Sequence, residues 1–210
     1  MTKKIFIGVC NSQEQMASDF FWSMMGQVDF VAQPMFARAR HPWDIIRNNQ
    51  LIDWFLKTDC DYFTKTDVDQ AYPMDYFKCM VPLIEEYKVI GPLLFDRPHT
   101  GDFMPLVNWM EGGQKNHYDI TGKTGILEVP YLHTNCFFHR EVLEKIPKPW
   151  YEAQATADGL SRAIHVDASF MKKIPKIGYK IYVNFDVVVE HIANVPISRE
   201  IYERWNHKKS

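Results

Sequence analysis

The first 95 residues alternate short apolar runs with segments of helical spacing, and this alternation restricts the chain more than any other feature. Residues 4–10 form an apolar run that reads as a buried first strand. Met16, Phe20 and Met24 recur at helical spacing, so a helix is predicted over 13–25, opened by a Ser12-x-x-Gln15 capping box and closed by Gly26. A second strand is predicted over 28–36. A second helix follows over 42–57, with Pro42 in its first turn and Ile45, Ile52, Phe55 and Leu56 facing inward. Then come a third strand over 60–66, a loop over 67–73, a helix over 74–86 interrupted near Pro82, and a fourth strand over 88–95. That order calls for a parallel sheet with right-handed crossovers and helices on both faces. Ligands of such sheets sit beyond the C-terminal strand ends. Asn11 and the segment Asp67 to Asp69 both fall there and should share one crevice.

The second half is less regular. Residues 96–125 are rich in Pro, Gly, His and Asn and are expected to form an excursion over the crevice. One or two strands are predicted over 126–138, a short helix over 139–146, a loop over 147–163, a helix from Val166 to about Gly178, a long strand over 179–192 and a last helix over 198–206. No linker or internal repeat interrupts the 210 residues, which read as one domain.

A net charge of −2 provides no broad basic field, so nucleic acid is not supported as a partner. Cys10, Cys60, Cys79 and Cys136 are widely spaced and match neither a zinc pattern nor a disulfide framework, so they are expected to be reduced thiols. The apolar run after Lys3-Lys4 is too short for a signal peptide, and no later run approaches a membrane span. The expected location is cytoplasmic.

Four features carry chemistry. In Asp67-Val68-Asp69 a strand runs into two carboxylates at i and i+2, which point the same way in extended chain. Two such groups stay ionised together when a hard divalent ion compensates them, and that ion can bridge to a diphosphate. The other reading is a solvated acidic turn. Arg47, in Arg47-Asn48-Asn49, suits bidentate contact with phosphate or carboxylate, or a structural role. Asp167 stands at a helix start, where a carboxylate either caps the helix or takes a proton from a hydroxyl. His191 closes the strand Val187 to His191 and is either a plain hydrogen-bonding residue or a ligand for an ion such as manganese.

The order of these parts resembles the GT-A glycosyltransferases, especially the family-2-like ones. The matching patches are Ile5 to Asn11, Arg47-Asn48, Phe63 to Asp69, Leu132 to Ile146, Val166-Asp167 and Tyr179 to His191. Within them, Cys136 to Leu143 looks like that family's strand and its "R-x-V-L" helix, and Ile177-Gly178-Tyr179 like its late turn into the closing strand. The patches together span nearly the whole chain. The resemblance implies an α/β Rossmann-like GT-A sandwich with a mostly parallel sheet, its nucleotide-binding half over 1–95 and its acceptor-binding and closing half over 96–210. It implies a nucleotide-sugar donor, with a UDP-sugar favoured, and a Mn2+ or Mg2+ cofactor. Val9, Asn11, Arg47, Asp67 and Val68 would contact the nucleotide, and Asp67, Asp69 and His191 would hold the metal. Asp167 would act as the base of an inverting transfer, with Trp109 and Asn135 on the substrate side. The acceptor would be a hydroxyl on a glycan, a lipid-linked sugar, a protein or a modified base in DNA.

Two departures stand out. Val166-Asp167 lacks the first acid of the family's Glu-Asp pair, and Thr134-Asn135 occupies a place where a small residue is common. Three rivals have different requirements. A haloacid-dehalogenase-type phosphatase wants Thr or Val where this chain has Ala71, and a sugar nucleotidyltransferase normally has a Gly-rich N-terminal loop that Ile5 to Gln15 lacks. A non-catalytic sugar-binding module would need no metal ligands.

Overall fold

The computed structural model describes the chain apart from residues 1, 12–17, 28–30, 96–103, 108–109, 112–113, 116–117, 156–161, 165, 193–195, 198, 200–202 and 204–210. In chain order its elements are β1 (Lys4–Cys10), α1 (Ser18–Met25), β2 (Gln33–Ala39), α2 (Asp44–Leu56), β3 (Tyr62–Asp67) and β4 (Gln70–Ala71). Next are α3 (Tyr76–Met80), a 3-10 turn at Val81–Leu83, α4 (Ile84–Tyr87) and β5 (Val89–Leu94). Then follow β6 (Met110–Glu111), β7 (Gln114–Lys115), β8 (Ile126–Val129), β9 (Phe137–His139) and α5 (Arg140–Lys145). The chain continues with β10 (Gln154–Ala155), β11 (Arg162–Ile164), α6 (Val166–Met171), α7 (Lys173–Lys176), β12 (Ile181–Ile192) and β13 (Pro196–Ile197).

Nine strands form the central sheet among the described residues, in the order β13-β12-β5-β9-β3-β1-β2, with β4 and β8 also paired to β12. The pairs β1–β2, β1–β3 and β5–β12 are parallel, while β9 lies antiparallel between β3 and β5. Alternation along β1 serves both faces. Phe6 and Cys10 join a core with Leu51, Ile52 and Phe55 of α2, while Ile5 and Ile7 join one with Phe20 of α1 and Tyr76, Phe77 and Met80 of α3. The result is a helix–sheet–helix sandwich, as the alternation requires.

Four expectations are corrected in detail. The second strand is Gln33–Ala39 and not 28–36, because parallel pairing sets Lys4 opposite Gln33 and Cys10 opposite Ala39, and Val31 has a positive φ of 57° that ends any extended run there. Residues 28–30 lie outside the described residues. Pro34 is compatible with β2 because the Gln33 amide donates to Lys3, which turns the next position away from β1 at the end of the sheet. Pro42 does not enter α2; it precedes the N-cap residue Trp43. The helix expected from Val166 to Gly178 is two helices, α6 and α7, since Pro175 cannot bond back to the Met171 carbonyl and crowds it. The 67–73 loop carries β4, which pairs antiparallel with β12 and sets Gln70 opposite His191.

The 147–163 loop contributes β10 and part of β11. The Ser12–Gln15 capping box and residues 13–17 of the first helix lie outside the described residues, as does most of the last predicted helix. Of that helix, Arg199 and Glu203 are described and form an i,i+4 ion pair of 3.0 Å.

One glycine shapes the site from a distance. A Cβ on Gly91, in β5, would come within 2.7 Å of both Cys136 Sγ and Leu132 Cδ2. Its absence lets the segment 132–136 lie directly on the sheet, with His133 to Asn135 spanning the C-terminal strand ends.

Candidate active site

Register places the functional residues before any side chain is considered. Cys10 and Asp67 are partners at the C-terminal ends of the parallel strands β1 and β3, and Asn11 follows immediately, its amide bonded to the Ala39 carbonyl at 3.1 Å. Beyond β3 the chain turns at Val68-Asp69 and re-enters the sheet as β4. The two aspartates therefore do not share one extended strand, and they have different partners.

Asp67 Oδ2 accepts from Asn135 Nδ2 at 2.9 Å and lies 3.4 Å from Lys65 Nζ. Burial alone would raise the Asp67 carboxyl, but the Lys65 ammonium and the Asn135 bond hold it below its ordinary value. Asn135 Nδ2 also reaches Gln70 Oε1 at 2.6 Å, which accepts from the Tyr72 hydroxyl at 2.6 Å as well. Asp69 faces His191: Oδ2 and Nε2 are 3.8 Å apart, and the Ile192 amide donates to the Asp69 carbonyl at 2.7 Å. His191 Nδ1 donates to the Phe95 carbonyl at 2.9 Å, which fixes the tautomer and turns Nε2 toward the carboxylate. A gap of 3.8 Å is too long for a hydrogen bond. It is within the span of two donors that share one ion. Among the described residues no three His, Cys, Asp or Glu side chains gather as a closed metal site. Asp69 and His191 are the two side chains here whose spacing could admit a shared divalent cation beside substrate phosphates.

Asp167 is the second residue of α6 and accepts at Oδ1 from the Thr134 hydroxyl at 2.8 Å. Thr134 and Asn135, adjacent in sequence, thus each hold one aspartate. Their turn is locked by His133, whose Nε2 donates to the Pro92 carbonyl at 3.0 Å and whose Nδ1 accepts the Asn135 amide at 3.1 Å.

That bonding requires neutral imidazole, and burial brings the His133 pKa from 6.5 down to about 4, against the weaker pull of the Pro92 carbonyl and of Asp167. Below pH 6.5 the unfolded chain takes up a proton that the folded chain refuses until about pH 4, so stability falls as the pH drops through this window. The loss is on the order of 3 kcal/mol by the usual conversion of a pKa difference. Urea melts at pH 7 and pH 4 are expected to show that loss and to show it reduced in His133→Gln, with the parts due to His139, shifted down by burial, and to carboxylates held below their ordinary values, such as Glu85, remaining.

The other candidate positions lie around this centre. Arg47 Nη1 donates to the carbonyls of His41 and Pro42 at 2.7 and 3.0 Å, which ties the segment before α2 to the helix. Asn48 is buried and accepts from the Cys10 thiol at 3.2 Å, and burial pushes that thiol up to about 12. Asn49 clamps Tyr151 through both its backbone groups, at 2.9 and 3.0 Å. Val9 lines an apolar cleft of about 380 Å³ with Phe20, Met24 and Phe36. Val68 packs partly buried against the face that carries α3. Trp109 lies outside the described residues.

Sequence reasoning missed Lys65, Gln70 and His133. Lys65 left a usable signal, because a lysine inside an otherwise uncharged central strand, two residues before an aspartate, requires a carboxylate on its own side of the strand.

No family model matches the chain, and no curated protein sequence matches it. Solved structures do. The crystal structure of A197 from STIV is similar at a TM-score of 0.59 and 16% identity, covering 94% of this chain and 91% of that one. The structure of S. aureus TarS 1-349 in complex with UDP-GlcNAc is similar at 0.52 and 13% identity, covering 97% of this chain and 64% of that one. S. aureus TarS gives 0.50 and 12% identity, with 90% of this chain aligned to 36% of the larger protein. Likeness at these identities shows the fold, and the fold is the GT-A sandwich: a central sheet mostly parallel in its core and flanked by helices, with β9 inserted antiparallel between β3 and β5. No helix among the described residues is long and apolar enough to cross a membrane.

Proposed function

We propose that this chain is a metal-dependent glycosyltransferase that moves a sugar from a nucleotide-sugar donor, with a UDP-sugar favoured, to an acceptor hydroxyl. One observation carries the reading. The short strand β4 folds back onto β12 and sets Asp69 against His191 at the strand ends, while Asp167 at the start of α6 is tied through Thr134 and Asn135 to Asp67 at the end of β3. A cation donor pair and a separate carboxylate thus flank the place where GT-A folds take their ligands.

The residues divide the work. Asn11, Asp67 and Val68 line the strand ends on the donor side, with Val9 behind them. Asp69 and His191 would hold Mn2+ or Mg2+, which when bound supplies positive charge for the departing diphosphate. Asn135 holds the Asp67 carboxylate through one hydrogen bond. Thr134 orients Asp167 through a single oxygen, and Asp167 takes the proton of the attacking hydroxyl as the sugar carbon gains oxocarbenium character. Attack from the face opposite the diphosphate inverts the anomeric centre.

The test is a panel of UDP- and GDP-sugars incubated with the protein, with manganese and with a chelator, followed by nucleoside diphosphate release. Release from one donor with manganese, lost on chelation, is the expected result. Pyrophosphate release from a nucleoside triphosphate and a sugar phosphate would mark a nucleotidyltransferase instead. No release and no thermal stabilisation by any nucleotide-sugar would overturn the reading.

A further inference from the structure

Lys65 is the one ammonium buried within the central sheet among the described residues, with 6% of its side chain exposed. Alternation along β3 puts it on the same side as Asp67, and Lys65 Nζ lies 3.4 Å from Asp67 Oδ2. A charge this deep is costly to bury alone. Burial by itself would push the ammonium down, yet Asp67 and then Asp167 keep it well above its ordinary value. Lys65 thus contacts the Asp67 carboxylate from within the same strand. The two acids are also held by neighbouring residues of one turn: Asn135 donates to Asp67 at 2.9 Å and Thr134 donates to Asp167 at 2.8 Å. The turn is itself pinned by His133 to the Pro92 carbonyl.

The two acids are therefore joined by one chain of contacts, Lys65–Asp67–Asn135–Thr134–Asp167. We infer that Lys65 is a positioning residue, which with the Thr134–Asn135 turn sets the separation between the donor-side acid Asp67 and the acceptor-side acid Asp167. This inference rests on the glycosyltransferase reading for the roles of the two acids, but the geometry it asserts does not depend on that reading. A plain structural ion pair needs only a compensating charge at this place. A positioning device needs that charge at one distance, because displacement of a reacting group by about 1 Å costs on the order of a hundredfold in rate.

Lys65→Arg separates the two roles, since it keeps the charge and changes its reach and shape. The expected result is a folded protein that melts near the wild type but releases nucleoside diphosphate at least about tenfold more slowly. Its crystal structure is expected to show the Asp67 and Asp167 carboxylates shifted relative to one another. Lys65→Met, which removes the charge at similar length, is expected to move the acids apart further and to lower turnover again. Wild-type turnover with unmoved carboxylates in folded Lys65→Arg would overturn the inference and reduce Lys65 to a structural counter-ion. Should Lys65→Met fail to fold, Lys65→Arg still decides. Should the wild-type protein release nothing from any donor, the glycosyltransferase reading fails by itself, and the carboxylate positions in the Lys65→Arg crystal still decide whether Lys65 sets the spacing.

Discussion

Asp69→Asn is expected to leave the fold intact and to reduce manganese-supported release of nucleoside diphosphate by about a thousandfold or more, the scale on which loss of charge stabilisation at a leaving group is felt. The fold should survive because the carboxylate is 38% exposed and the backbone bond from the Ile192 amide to the Asp69 carbonyl does not involve the side chain. Surface substitutions of this kind stay within about 0.5 kcal/mol. What the substitution removes is the anionic half of the donor pair, leaving His191 Nε2 aimed by Phe95 at a neutral amide. Steady-state turnover over a manganese titration, with a thermal melt of the same preparation, checks both halves. A variant that keeps its turnover at ordinary manganese concentrations would show that the pair does not hold the ion.

The second large effect is at the other carboxylate. Asp167→Asn is expected to lower turnover by about 10²–10⁴-fold, the usual contribution of a general base, while nucleotide affinity changes little. The amide in this variant retains an oxygen that can accept the Thr134 hydroxyl, so the start of α6 should stay in place. This contrast decides between the two readings of Asp167 that the sequence left open. Asp167 is the second residue of α6 and not its cap, so a residue kept only for α6 would lose about 0.3–1 kcal/mol of helix-dipole stabilisation on the change and leave turnover unaltered. Calorimetry with UDP and manganese, run beside turnover, distinguishes loss of the chemical step from loss of donor binding. Normal turnover in Asp167→Asn would remove Asp167 from the mechanism and with it the argument for inversion.

The legible part of this protein was its local periodicity. The strands predicted over 4–10, 60–66, 88–95 and 179–192 each correspond to a strand of the sheet, and 88–95 is apolar nearly throughout because both of its faces are buried. The amphipathic segment over 42–57 became α2 for a related reason. Short elements defined by distant partners were not legible. The two-residue strand β4 exists because β12 is there to receive it; the strand β9 was expected, but its antiparallel direction follows only from the place it fills between β3 and β5.

The site divides in the same way. Asp67, Asp69, Asp167 and His191 were visible as chemically suggestive residues at element ends. The expectation that Asp67 and Asp69 act as one pair assumed extended chain, and the turn at Val68-Asp69 sends one to Lys65 and Asn135 and the other to His191. The link from Asp67 to Asp167 through Asn135 and Thr134 depends on contacts across 68 and 33 positions of sequence, which no local pattern encodes.

Anomalous diffraction from a crystal grown with UDP and manganese examines the Asp69–His191 pair directly. The expected result is a single strong manganese peak within about 2.0–2.2 Å of an Asp69 carboxylate oxygen and of His191 Nε2, with the diphosphate beside it and the nucleoside over the ends of β1 and β3. Manganese bound elsewhere, or UDP seated away from Asn11 and Asp67, would contradict it.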